Sequence, residues 1–346
     1  MAKKDIRKTT STELKTWLEA RNEKAFRAKQ IEEWLWKKWV SSWDEMANLS
    51  KELRKKLEED FEIRQLSVAT SQKSEDGTIK AAFRLYDSNL VEGVLIPSGE
   101  RMTACISSQV GCSLTCKFCA TGYMDRKRNL DPAEIYDQAK AIASIAENEY
   151  HLPLTNIVMM GMGEPLLNYN NVLAGINRIT SIDGMGWSPK RITLSTAGIA
   201  KMIIKLADDE VRFNLALSLH AADDEKRNTI MPINESNTLQ ALKEALRYFY
   251  QKTKNQITFE YIAFNGFNDS VEDANKLAKF TLSIGAPIKI NIIEYNPISE
   301  ADFINTTADR LDAFKNQLES KKLIVNIRRS RGKDIDAACG QLANKR

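Results

Sequence analysis

Residues 102–119 read MTACISSQVGCSLTCKFC. The apolar start, 102–106, has the character of a short buried strand. The three cysteines on the loop after it, Cys112, Cys116 and Cys119, are spaced C-x3-C-x2-C. Three thiols on one short loop can converge on a metal. A structural zinc site wants four ligands, usually from C-x2-C pairs. Soft thiolates suit an iron–sulfur cluster better. A [4Fe–4S] cluster usually takes four cysteines, so three would leave one iron with open coordination positions, which suits catalysis. Inert buried thiols are the plain alternative.

Downstream of this stretch, strand-like and helix-like patterns alternate. Further strands are expected at 156–160, 191–195, 213–219, 257–262, 288–293 and 323–327. Helices are expected near 132–149, 170–181, 199–207, 238–252, 271–284 and 307–320. Asp131-Pro132 opens the first helix with an N-cap and an N1 proline. Such alternation implies right-handed crossovers and a parallel sheet. The fold class is therefore α/β, as a partial barrel or an open sheet, with the ligand site at the C-terminal ends of the strands.

Upstream, short strand-like runs at 66–71, 79–86 and 91–96 read as an antiparallel connector, with Asp76-Gly77 as a hairpin turn. Before them, five of the six tryptophans fall within the first 43 residues. Phe26, Ile31, Trp34 and Leu35 recur at helical spacing, and Ser50 can cap a helix carrying Leu53, Leu57 and Phe61. This predicts a small helical domain in which the tryptophans pack rather than stack on nucleic acid. The expected division is 1–63 helical domain, 64–100 β connector, and 101–346 core.

The 346 residues carry 50 Lys and Arg against 46 Asp and Glu, five cysteines and two histidines. No run approaches the ~20 apolar residues of a membrane span, and the start, MAKKDIRKTTSTELK, lacks the apolar core of a signal peptide. A cytoplasmic protein is expected, where disulfides are rare and usually catalytic. The net charge of +4 is weak, but residues 321–346 hold eight basic side chains against two acidic ones. Arg328, Arg329 and Arg331 precede Cys339, and Arg126, Lys127 and Arg128 follow the cysteine loop. These segments are candidate phosphate contacts for RNA.

Other motifs have plain physical readings. In MMGMGEPLLN (159–168), glycines after an apolar strand let backbone approach a ligand, and Glu164 can accept a hydrogen bond from an ammonium group. Ser195 ends one strand and Ser218, Leu219 and His220 close another. Asn296 precedes Pro297 in a turn-like YNP. Cys105 and Cys339 are the only cysteines outside the loop motif. Each reads by itself as a small buried hydrophobe.

The cysteine loop after the first strand of an α/β barrel resembles the signature of the radical S-adenosylmethionine enzymes. The strings SSQVGCSLTCKFCATG (107–122), GMGEPLLN (161–168), LSTAG (194–198), SLH (218–220), EYNPI (294–298) and RRSRGKDIDAACGQL (328–342) resemble a narrower group, the RlmN and Cfr methyltransferases of RNA adenosine. The resemblance implies a partial (β/α)6 radical-SAM barrel with a small helical N-terminal accessory domain and a short antiparallel β connector. It implies one [4Fe–4S] cluster on Cys112, Cys116 and Cys119, and S-adenosylmethionine held by Gly163, Glu164, Ser195, Ser218, Leu219, His220 and Asn296.

By the same resemblance Cys339 carries the methyl group as S-methylcysteine, and Cys105 forms a transient disulfide with it to release product. Two S-adenosylmethionine molecules are used per turnover. Glu92 takes the position of a proton acceptor, with Cys105 as the alternative. The implied activity is methylation of carbon 2 of adenosine in 23S ribosomal RNA and in some transfer RNAs, by a monomer served by a flavodoxin-type reductant. A Cfr-like enzyme acting on carbon 8 shares most of these motifs. A glycyl-radical activase would need neither Cys339 nor the basic tail, and an RNA-binding protein with a structural cluster would need no open iron.

Overall fold

The computed structural model describes residues 3–344, so Lys345 and Arg346 lie outside the described residues. The chain opens with β1 (Lys4–Asp5), then α1 (Ser11–Glu19), α2 (Arg27–Glu32) and α3 (Lys51–Asp60), and β2 (Phe61–Glu62) returns to pair in parallel with β1. The caps follow local chemistry. Thr10 and Glu13 form a reciprocal capping box on α1, and Ser50 accepts from the Leu53 amide at α3, whose Leu53 and Leu57 are buried. The helical spacing of Phe26, Ile31, Trp34 and Leu35 is realised only in part. After α2 the backbone widens into a π-helical stretch, Glu33–Lys38, and Trp39 ends it in the left-handed conformation. Phe26 is exposed rather than part of the apolar face. The widening turns Leu35 and Trp36 together into the core.

The tryptophans are packing elements. Trp36 meets Tyr136 edge to face at 5.3 Å, and the Arg178 guanidinium lies 4.3 Å from its ring. A buried ion pair ties this domain to the rest. Arg7 Nη1 lies 2.7 Å from Asp137 Oδ1, with both side chains sequestered. Asp137 also accepts from Trp39 Nε1 (2.8 Å) and the Leu66 amide (3.3 Å).

Three strands follow, β3 (Ser67–Lys73), β4 (Ile79–Arg84) and β5 (Leu90–Ser98), antiparallel as expected. Gly77, at φ +86, makes the β3–β4 turn. They are not a detached connector. β5 pairs with β6 (Arg101–Cys105), so they extend the main sheet. A small antiparallel pair, β7 (Gln109–Val110) with β8 (Arg128–Asn129), then pinches the base of the cysteine loop.

From here strands alternate with helices: α4 (Pro132–Tyr150), β9 (Asn156–Met159), α5 (Tyr169–Thr180), β10 (Ile192–Thr196), α6 (Ala200–Asp208), β11 (Asn214–Ser218), α7 (Asp224–Ile230), α8 (Leu239–Thr253), β12 (Ile257–Ile262), α9 (Val271–Ile284), β13 (Ile288–Ile293), α10 (Ala308–Ser320) and β14 (Ile324–Arg328). One ten-stranded sheet runs β14-β13-β12-β11-β10-β9-β6-β5-β4-β3. Its segment from β6 to β14 is parallel throughout. The residues from Ile257 to Phe259 and Leu215 to Leu217 are apolar or small because strands covered on both faces bury nearly everything. No helix among the described residues is long and apolar enough to cross a membrane.

Replacing Arg7 by Met would strand the Asp137 carboxylate in the interior. The expected cost is about 3–5 kcal/mol, read as a lower urea midpoint at unchanged slope. A change under about 1 kcal/mol would place the pair among weak surface-like contacts.

Candidate functional site

The C-terminal ends of the parallel strands surround a cavity of about 490 Å3, lined by Cys105, Cys112, Cys116, Cys119, Gly163, Glu164, Ser195, Ser218, His220 and Cys339, among others. All five cysteines of the chain therefore meet in one place, as free thiols. Burial pushes the thiols of Cys105, Cys112, Cys116 and Cys119 upward. Cys112 rises to about 11 and Cys105 to about 12. Cys116 and Cys119 also rise, chiefly by desolvation, with mutual repulsion adding at Cys116. Metal binding would have to displace these protons.

The loop 111–127 is held at its base by β7 and β8 and at its tip by the Lys117 amide on Ile230 O (3.0 Å). Among the described residues no three His, Cys, Asp or Glu side chains converge tightly enough to chelate a single ion. Three thiols on one loop fit a cluster with one open iron better than a structural zinc site, which wants four ligands. Beneath it lies Arg227, fully buried. Its Nε donates to Leu219 O (3.0 Å), Nη1 to Asn234 Oδ1 (2.5 Å), and Nη2 to Ala197 O (2.5 Å) and Ser218 O (3.2 Å). Its charge acts on Cys116, and Asp224 acts on it in turn. A buried cation beside Cys116 would suit the negative charge of a thiolate-bound cluster.

Glycine at 163 is required by its neighbour. At φ +90, a Cβ there would stand 2.4 Å from Gln109 Cβ. That approach lets Gln109 Oε1 accept from the Glu164 amide at 2.9 Å. Glu164 is buried, accepting from Leu166 N (2.9 Å) and Ala197 N (2.7 Å), and desolvation raises its carboxyl. Ser195 and Ser218 hydroxyls lie 3.4 Å apart. His220 sits at φ +55 with Nδ1 accepting from the Ile262 amide (3.0 Å). Its ring packs edgewise on Phe118, and burial lowers it to about 3, so it is a neutral imidazole. Leu219 differs from its neighbours. Its side chain is in the core and its backbone is engaged by Glu260 O and Arg227, so it does not line the cavity. Asn296 is also outside the lining. Its Nδ2 donates to Cys339 O (3.1 Å), while its buried Oδ1 has no partner and can accept from a ligand.

Cys339 reaches the cavity on a tail that crosses the open mouth of the sheet. At one end the Gly332 amide binds Asp76 Oδ2 (2.9 Å), and Asp334 accepts from Ser74 Oγ (2.5 Å) and Glu75 N (3.2 Å). In the middle, Ala120 N donates to Gly340 O (2.7 Å) and Thr121 Oγ1 to Leu342 O (2.5 Å). At the far end Glu92 Oε2 accepts from the Ala343 (2.9 Å) and Asn344 (3.0 Å) amides. Glu92 Oε1 lies 3.7 Å from Lys80 Nζ, so this carboxylate is fully engaged and does not line the cavity. Cys339 is exposed at the mouth of the cavity, among the residues that line it.

The basic residues separate. Arg328, Arg329 and Arg331 line the cavity. Arg126 and Lys127 are exposed beside the loop. Arg128 is committed elsewhere, bidentate to Glu134 (2.8 Å each) and bonded to Asp87 (2.6 Å), and so is not free for phosphate. Two cavity-associated groups went unnoticed in the sequence. Glu260 had a usable signal, a single charge inside the apolar strand ITFEYI. Arg227 had none, since DEKRNTI reads as a solvated helix.

A parallel α/β sheet with a three-cysteine loop after the first parallel strand defines the radical S-adenosylmethionine class. A model described as the radical SAM superfamily matches residues 106–278. A model described as the ribosomal RNA large subunit methyltransferase N-terminal domain matches 4–63. The chain is 63% identical over 343 residues to a probable dual-specificity RNA methyltransferase RlmN of Cytophaga hutchinsonii, covering 99% of this chain and 93% of that one. It is 52% identical to the Flavobacterium psychrophilum protein of the same description, covering 99% and 98%. A crystal structure of a radical SAM methyltransferase from Sphaerobacter thermophilus superposes with a TM-score of 0.92 at 36% identity, covering 99% of this chain and all of that one. The chain belongs to the RlmN family.

Replacing Glu92 by Gln should release the far end of the tail. Amide exchange at residues 343 and 344 is expected to quicken at least tenfold, with α4 unaffected. Unchanged exchange would show that the carboxylate does not hold the tail.

Proposed function

We propose that this chain methylates carbon 2 of adenosine in 23S ribosomal RNA and in some transfer RNAs. The observation that carries the proposal is the meeting of Cys105 and Cys339 with the three-cysteine loop in one cavity, in a chain so similar along its length to dual-specificity RNA methyltransferases. Cys112, Cys116 and Cys119 hold one [4Fe–4S] cluster. Gly163, Glu164, Ser195, Ser218, His220 and Asn296 hold S-adenosylmethionine. Leu219 can take part only by shaping the backbone. When bound, these groups supply the methyl group and the radical chemistry that an unactivated aromatic carbon needs, consuming two S-adenosylmethionine molecules per product.

The chain's own residues do the rest. Cys339 carries the methyl group as S-methylcysteine, a nucleophilic covalent step. Cys105 then attacks the Cys339 sulfur, breaking its bond to the product carbon and forming a transient disulfide, which a reductant resolves. Arg328, Arg329 and Arg331 hold phosphates at the rim while the target base is drawn out of its stack. Residues 1–63 form the accessory domain, 64–100 the antiparallel extension and 101–346 the core with its methyl-carrying tail. The setting is a cytoplasmic monomer served by a flavodoxin-type reductant.

The test is an anaerobic reaction with RNA, reductant and S-adenosylmethionine, read by mass spectrometry of nucleosides. Wild type should yield 2-methyladenosine. Cys339→Ala should yield none, and Cys105→Ala should leave RNA covalently attached to protein. Turnover by Cys339→Ala would overturn the methyl-carrier role, and 8-methyladenosine would overturn the carbon 2 assignment.

A further inference from the structure

The short helix α7 bonds to both halves of the site. The carbonyl of its last residue, Ile230, accepts the Lys117 amide at 3.0 Å, on the loop between Cys116 and Cys119. Ile230 and the following Met231 are buried in one apolar cluster with Leu114 and Phe118 of that loop. The helix is braced from outside by α9. Lys226 Nζ lies 2.6 Å from Asp273 Oδ1, and the N-cap residue Asp223 lies 2.7 Å from Lys276 Nζ. From the middle of this braced helix Arg227 turns inward.

The Arg227 guanidinium addresses the ends of two neighbouring strands. Nη2 donates to Ala197 O, just past β10, at 2.5 Å, and to Ser218 O, at the end of β11, at 3.2 Å. Nε donates to Leu219 O at 3.0 Å. One nitrogen therefore spans the gap between the strand ends. The fork is held from behind, since Nη1 donates to Asn234 Oδ1 (2.5 Å) and Asn234 Nδ2 donates to Asp224 Oδ1 (2.8 Å). The peptide unit at Ala197 carries the constraint onward. Its carbonyl is held by Arg227, while the Ala197 amide donates to Glu164 Oε2 at 2.7 Å. Ser195 and Ser218, whose hydroxyls lie 3.4 Å apart, stand on the same two strands. Donors fixed in a plane suit this task, and the single nitrogen of a lysine cannot serve all four acceptors. Were filling space the only demand, an apolar side chain would meet it without burying a charge.

We propose that Arg227 is a positioning residue for cofactor binding. It sets the ends of β10 and β11, and through Ala197 the Glu164 carboxylate, at the spacing that receives S-adenosylmethionine. The same helix holds the cysteine loop against that frame. Arg227 does not line the cavity, so it acts through these groups and not by contact. The inference rests on the reading of Glu164, Ser195 and Ser218 as cofactor contacts.

The test is calorimetric titration of the cluster-loaded protein, oxidised and without RNA, with S-adenosylhomocysteine. This probe keeps the amino-acid and ribose groups of the cofactor and has no methyl group to lose. Arg227→Lys should keep its iron content and bind roughly tenfold more weakly, the scale of one lost hydrogen bond to a charged group. A merely structural role would lower the urea midpoint and leave Kd alone, as Leu57→Ala in the N-terminal domain should. Arg227→Lys with a lowered midpoint and the wild-type Kd therefore overturns the proposal. Should Arg227→Lys lose its iron, Asn234→Ala keeps the guanidinium and removes only its rear support. A several-fold weaker Kd is then expected, and an unchanged Kd overturns the proposal. Failure of the underlying reading looks different, because wild type itself would then not take up S-adenosylhomocysteine.

Discussion

The acceptance of two consecutive tail amides by one buried carboxylate, Glu92, underlies the composition of the site. A parallel sheet of this size leaves its two edges apart, and the chain covers the gap by laying its last residues across it. Without that docking the cavity would contain four cysteines rather than five. A carboxylate that accepts two N–H groups is among the stronger anchors available to a peptide segment. It is reinforced nearer the start of the tail by Asp76, and by the tail's own Asp334, which accepts from Ser74 and Glu75, so the antiparallel strands hold the tail at both ends. The basic run 328–333 lies within the same tail, which makes charge complementarity part of its placement.

The cavity is electrostatically uniform in one respect: desolvation is the leading influence on Cys105, the three loop cysteines, Glu164, Glu260, His220 and Arg227. It raises thiols and carboxyls and lowers His220 and Arg227, favouring neutral forms throughout. In such a medium each introduced charge matters more than it would in water. Arg227 is the cation beneath the loop, and Arg328 the one beside Cys339. Their positions mark where negative charge can accumulate without prohibitive cost.

The alternating core was legible because its signals are local. The run at 257–262, the helix at 271–284 and the strand at 288–293 agree with the structure residue for residue, since a 2.0 or 3.6 period suffices to define them. The antiparallel strands were legible from Asp76-Gly77. What escaped detection depends on distant partners. Nothing near Glu92 announces that its oxygens will meet residues 343 and 344. The π-helical turn after α2 is imposed by packing Leu35 and Trp36 on the core, not by propensity. Arg128 looked available because its partners, Asp87 and Glu134, come from two other elements. The cysteines were different: a reactive group at a fixed spacing is recognisable without knowledge of its surroundings.

The doubly pinned tail also sets a concentration. Cys339 lies between anchors at Gly332 and Ala343, a tether too short to let its thiol leave the mouth of the cavity. Its encounter with Cys105 is therefore intramolecular, governed by the slack in the tether and not by thiols in bulk solution. For short flexible links such effective concentrations reach roughly the millimolar range or above. An external thiol would have to match that figure, at a mouth the tail itself obstructs, before it could compete for the Cys339 sulfur.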